Sequence, residues 1–149
     1  MTDRPEEQDP YSGLRWVYVT RAEVFGHPKG RLNAILWGIV VFLIGTGLLK
    51  LWVFASAGAP LAMVLLSGLL PILTGLGLAV RAPLALVAAI VMAGVTLYST
   101  MRAMGEGQSI VILMDAVLAF GIIFYLLDGD RPNFIYRHRF RKYSDARED

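Results

Sequence analysis

Four apolar runs, separated by very short breaks, decide what this chain can fold into. They are Leu32 to Ala55 (LNAILWGIVVFLIGTGLLKLWVFA), Leu61 to Val80 (LAMVLLSGLLPILTGLGLAV), Leu84 to Met104 (LALVAAIVMAGVTLYSTMRAM) and Ile110 to Leu127 (IVILMDAVLAFGIIFYLL). Crossing the roughly 30 Å hydrocarbon core of a bilayer takes about 20 mostly apolar residues in a helix. A helix also satisfies its own backbone where no water is available. The breaks SAGAP, RAP and GEGQS are rich in Gly, Pro and small polar residues, and connections this short force antiparallel neighbours. The expected fold is an all-α integral membrane protein. Four antiparallel transmembrane helices, at about 32–55, 61–80, 84–104 and 110–127, form an up-down bundle.

The charges lie where such a fold needs them. The 149 residues are 56% hydrophobic with mean hydropathy +0.56, and the apolar excess is in the middle of the chain. Arg4, Arg15, Arg21, Lys29 and Arg31 precede the first run, Arg81 sits between the second and third, and Arg131, Arg137, Arg139, Arg141, Lys142 and Arg147 follow the fourth. The positive-inside rule then places both termini and the Arg81 turn in the cytoplasm, with the bacterial inner membrane as the expected location. Residues 1–13 are polar and acidic-leaning and read as a disordered tail. They hold no apolar core of a secretory leader, so the first run is expected to act as its own insertion signal. Residues 14–31 read as a cytoplasmic or interfacial segment and 128–149 as a basic, aromatic cytoplasmic tail.

That tail contains RPNFIYRHRFRKY, Arg131 to Tyr143. Aromatic rings favour the membrane interface, and each basic residue near anionic headgroups gains about 1 kcal/mol. The segment is therefore a topology anchor, or a docking surface for lipid or a partner through Arg137, Arg139, Arg141, Lys142, Tyr136 and Phe140. The membrane accounts for the basic charge and no RNA- or DNA-binding motif is present, so nucleic acid is not an expected partner. Alternation from Phe134 onward has strand period, and WVYVT near the other end has strand propensity. The two would emerge on the same side and could pair. The rival is a helix started at Asp130 and Pro132, with Tyr136, Phe140 and Tyr143 on one face.

Polar groups inside the runs are where chemistry would reside. Lys50, Arg102 and Asp115 form a candidate charge cluster. Lys50 and Asp115 each fall about five residues from the outer end of a span, roughly 8 Å deep at 1.5 Å per residue. They are expected to pair across the first and fourth spans, either as a structural ion pair or as an ion, proton or anionic-substrate site facing the outer leaflet. No cofactor is expected. The chain has no cysteine, and His27 and His138 both lie outside the runs, which leaves no axial ligand for a membrane haem. Ser56, Ser67, Ser99 and Ser109 have no His or carboxylate at helical spacing, Asp115 aside, and catalytic residues and metal ligands are not expected either.

Small residues recur every four positions along the second run (Ser67, Pro71, Gly75, Ala79) and the third (Ala85, Ala89, Ala93). Such stripes let helix backbones approach closely in lipid, and Pro71 should kink its helix. The sequence thus points to a non-catalytic accessory or scaffolding subunit of a larger membrane complex. Its partners would be anionic lipid and other membrane subunits, or copies of itself. The alternative is a small transporter or channel component with a charged site near the outer leaflet.

Overall fold

The computed structural model describes residues 6–8, 15–103 and 110–142. The chain is mostly helical and divides into two compact units. One is Leu32–Leu127; the other joins the two ends, Met1–Arg31 and Asp128–Asp149.

The Leu32–Leu127 unit begins with α2 (Ala34–Ser56). Asn33 caps its N-terminus, the side-chain oxygen accepting the Leu36 N–H at 3.0 Å, which satisfies one of the unpaired donors of the first turn. The second run forms one span in three pieces: α3 (Leu61–Val64), a π-helical turn (Leu65–Leu69) and α4 (Leu70–Ala79). The cause is Pro71. It has no N–H to offer the carbonyl four residues back, and the widened turn immediately before it absorbs the defect. The chain then reverses over Val80–Ala82. Arg81 takes a left-handed φ of 61°, its N–H bonds Leu78 O at 3.0 Å, and Ala82 N–H bonds Gly77 O at 2.8 Å. These two bonds form a Schellman closure. Pro83 opens α5 (Pro83–Ala103), as a proline can where no N–H is needed. α6 covers Ile110–Asp128. Hydroxyls within the helices turn back on their own backbone: Thr46 donates to Phe42 O at 2.8 Å and Thr74 to Leu70 O at 2.8 Å. No helical hydroxyl among these is left facing hydrocarbon unsatisfied.

Three of these helices, α2, the Leu61–Ala79 span and α5, are long and apolar enough to cross a membrane. Their outward faces carry large apolar side chains such as Val41, Leu48, Trp52, Leu73, Leu84 and Val91, a surface compatible with lipid. Inside, backbones meet at glycine. A Cβ on Gly47 would lie 2.7 Å from Gly68 O and 2.7 Å from Ile72 Cγ1. A Cβ on Gly75 would lie 2.8 Å from Ile44 Cγ1 and 3.1 Å from Val40 O. This is the small-residue packing that substitutes for a hydrophobic driving force between helices in lipid. At the N-terminal end of α2, Asn33 Nδ2 donates to Tyr125 Oη at 2.8 Å and so ties α2 to α6.

The unit made from the chain ends contains a three-stranded sheet ordered β1–β2–β3, from β1 (Glu6–Gln8), β2 (Arg15–Tyr18) and β3 (Arg139–Lys142). Both pairings are antiparallel. Glu7 lies opposite Trp16, and Trp16 opposite Arg141. Residues 6–8 therefore depart from the disordered tail expected of their composition, because a strand needs only backbone groups to join an open edge; the remainder of 1–13 lies outside the described residues. α1 (Arg21–Gly26) starts with a capping box between Thr20 and Glu23, and a short 3-10 turn, Pro28–Gly30, leads toward α2. α7 (Asp130–Arg137) ends at His138, whose left-handed φ of 51° turns the chain into β3. The tail is thus a helix and then a strand, and Tyr143 lies outside the described residues. Trp16, Val17, Val24, Ile135 and Tyr136 form the buried core of this unit.

Candidate functional site

Arg137, Arg139 and Arg141 of the tail are held by neighbours within their own unit. Asn133, 1% exposed, is the hub. Its Nδ2 donates to Gly129 O at 2.9 Å, and its Oδ1 accepts from Arg137 Nη1 at 3.0 Å and from Arg139 Nε at 3.4 Å. Loss of solvent around Arg137, and then the neighbouring charge of Arg139, push the Arg137 guanidinium below its ordinary value. It remains a cation at neutral pH all the same. The Arg139 guanidinium lies 4.2 Å from the Trp16 ring centroid and that of Arg141 5.3 Å, within cation–π range. Arg141 also pairs with the Asp128 carboxylate. Tyr136 is buried, and Phe140 lies opposite Val17 in the β2–β3 ladder. The Lys142 side chain lies outside the described residues.

Beside this cluster is a cleft of about 530 Å³ lined by the same unit. Its charged wall is Glu23, His27, Lys29, Asp130, Arg131 and Arg141; its apolar wall is Val19, Phe134 and Phe140. The rings are in contact: His27 meets Phe134 edge-on at 5.5 Å and Phe134 lies 6.4 Å from Phe140. His27 Nδ1 accepts the Lys29 N–H at 3.1 Å, which leaves the proton of the neutral ring on Nε2 as a donor. Arg131 Nη1 donates to Arg31 O at 3.3 Å. Glu23 is occupied by the cap, accepting from Thr20 N at 2.8 Å and Thr20 Oγ1 at 3.1 Å. None of His27, Lys29, Glu23 or Arg131 is singled out as a site residue by sequence. Each is an ordinary surface residue until two distant segments bring them to one wall.

Within the Leu32–Leu127 unit, Lys50 lines a crevice of about 150 Å³ together with Thr46, Pro71, Met92, Thr96 and Leu118, drawn from α2, α4, α5 and α6. Asp115 belongs to α6, and its side chain lies outside the described residues. Arg102 is exposed near the end of α5. In the small-residue stripes, Pro71 and Gly75 are buried while Ser67 and Ala79 are half-buried beside them. Ser67 Oγ bonds Met63 O at 2.5 Å. Ala85, Ala89 and Ala93 are all buried, and Ala85 Cβ would lie 2.7 Å from a Cβ on Gly77. Among the described residues no group of three or more His, Asp or Glu is placed to hold a metal ion. No protein-family model, curated protein or solved structure matches the chain.

Proposed function

We propose that this chain is a non-catalytic accessory or scaffolding subunit of a larger membrane complex. It is anchored in the bacterial inner membrane by four antiparallel transmembrane helices with both termini cytoplasmic. One observation carries the reading: β2, which precedes the first span, pairs with β3, which follows α6. Strands that pair must lie on one side of the membrane, and three crossings between them would put them on opposite sides. The pairing therefore supports α6 as a fourth crossing, and the concentration of Arg and Lys in this unit supports a cytoplasmic location for it. The chain ends then form a folded basic and aromatic body held at the membrane surface, suited to docking a partner, while the spans offer little polar chemistry for turnover or transport.

Reporter fusions at residue 149 and in the 81–83 turn are expected to report cytoplasm, and fusions near 57 and 106 the outer side. A cytoplasmic signal at 106 would remove the fourth crossing. The function itself is tested by purifying the chain in mild detergent and identifying by mass spectrometry what accompanies it. A stoichiometric membrane partner is expected. The alternative, a small transporter or channel component, draws on Lys50 at its crevice among the four helices. Recovery of the chain as a lone oligomer would favour that alternative.

A further inference from the structure

We infer that the cleft between the His27–Lys29 segment and α7 is a binding site for the monoanionic phosphodiester headgroup of a phospholipid. Lys29 and Arg131 receive the phosphate, His27 Nε2–H is a further donor, and Phe134 and Phe140 are the apolar wall. The inference rests on the topology proposed above and adds to it a ligand.

Four observations lead there. First, the charges of the cleft are not equivalent. Glu23 is used by the α1 cap and Arg141 by Asp128. Lys29 is exposed and Arg131 half-exposed, and the bond from Arg131 to Arg31 O takes a single donor of a guanidinium that has several. Second, the arginines that sequence alone offers to lipid are engaged elsewhere: Arg139 lies over Trp16 and Arg137 is bonded to Asn133. Among the cations that line the cleft, Lys29 and Arg131 are the ones with room for a ligand. Third, Lys29 stands three positions before Leu32, and Arg131 four after Leu127. Both therefore leave the membrane at headgroup level, where basic and aromatic side chains are favoured. Fourth, a volume of about 530 Å³ suits a headgroup and not a lone ion, falling in the range of small-molecule sites. The carboxylates of Glu23 and Asp130 on the same wall disfavour a second negative charge. They select a phosphodiester over a phosphomonoester, and Asp130 can accept hydrogen bonds from hydroxyls on the headgroup.

The test uses the full-length protein in mild detergent, with native mass spectrometry reading the lipid retained after incubation with equal amounts of phosphatidylglycerol and phosphatidylcholine. One phosphatidylglycerol per chain is expected, in preference to phosphatidylcholine. Lys29→Gln together with Arg131→Gln should lower its retention at least tenfold. Arg15→Gln with Arg21→Gln, which removes the same charge from the same unit outside the cleft, should leave it unchanged. Lys29→Gln alone, at an exposed side chain, leaves the fold intact and should lower retention at least threefold. Equal losses in the two double variants would mean diffuse attraction and overturn the site. Displacement of the lipid by millimolar glycerol phosphate or inorganic phosphate would overturn the lipid and assign the cleft to a free phosphate compound. Because this readout needs no partner protein, its failure leaves the accessory-subunit reading standing, and a chain that purifies alone can still show the lipid.

Discussion

Replacing Gly47 by leucine is expected to lower the melting temperature of the detergent-solubilised protein by roughly 6–12 °C, while the same change at Gly45 leaves it unchanged or slightly raised. The two glycines are two residues apart on α2 and have the same intrinsic effect on a helix, where leucine is favoured over glycine by roughly 0.8 kcal/mol. Their surroundings differ. A Cβ at Gly47 would meet the backbone oxygen of Gly68 and the Ile72 side chain, each at 2.7 Å; at Gly45 it would meet nothing within 4 Å. Side chains can rotate away from an intruder, but a helical carbonyl cannot move without moving its helix. Overpacking usually costs about 1–3 kcal/mol. A backbone contact on one side and the Leu51 side chain packed against Gly68 on the other put this case near 3 kcal/mol. At about 2–4 °C per kcal/mol that gives the stated drop. Equal melting temperatures for the two variants would mean that α2 does not rest on the Leu61–Ala79 span through Gly47.

The positions of the helices are legible in the sequence because hydropathy is a sum over many residues. The runs ending at Ala55, Val80 and Met104 correspond to helices ending at Ser56, Ala79 and Ala103. The contacts between helices are less legible because they depend on phase. Spacing by four along the second run selects Ser67, Pro71, Gly75 and Ala79, yet the position facing α2 near Gly47 is Gly68. An α-helix advances 3.6 residues per turn, and the π turn at Leu65–Leu69 shifts the face again. Pro71 announces a defect but not which residues absorb it. In the tail, alternation from Phe134 suggests a strand and Asp130–Pro132 suggests a helix; both occur, divided at His138. That dividing point is invisible locally. A left-handed histidine is tolerated there because β3 finds its partner in β2, more than a hundred positions away, and Val19 N–H bonds His138 O at 2.8 Å. The cleft is hidden for the same reason. Its walls come from both ends of the chain, and the pairing that joins them is set by tertiary structure.

Trp16→Ala is expected to unfold the end unit without unfolding the helices of the Leu32–Leu127 unit. Trp16 is 7% exposed and sits on β2, the central strand of the sheet, with the guanidinium groups of Arg139 and Arg141 over its ring at 4.2 and 5.3 Å. Truncating a buried tryptophan to alanine costs about 3–5 kcal/mol. A small body with a core as limited as this one rarely has more than about 3–5 kcal/mol in total, so the loss removes most of its stability. Two arginines would also lose the aromatic surface they lie over, although Arg139 keeps its bond to Asn133 and Arg141 its pairing with Asp128. Trypsin should then cut at Arg139 and Arg141 at least tenfold faster than in the parent protein, while the far-ultraviolet helical signal of the long helices stays within about a tenth of its original value. Trp16→Phe keeps a ring under the guanidinium groups and should retain most of the protection. Hydrogen exchange gives the decisive reading at one amide, Val19 N–H, which donates across to His138 O. Slow exchange there in the Trp16→Ala protein would show that the strand ladder holds without its aromatic support, and that the tryptophan is a passenger on β2.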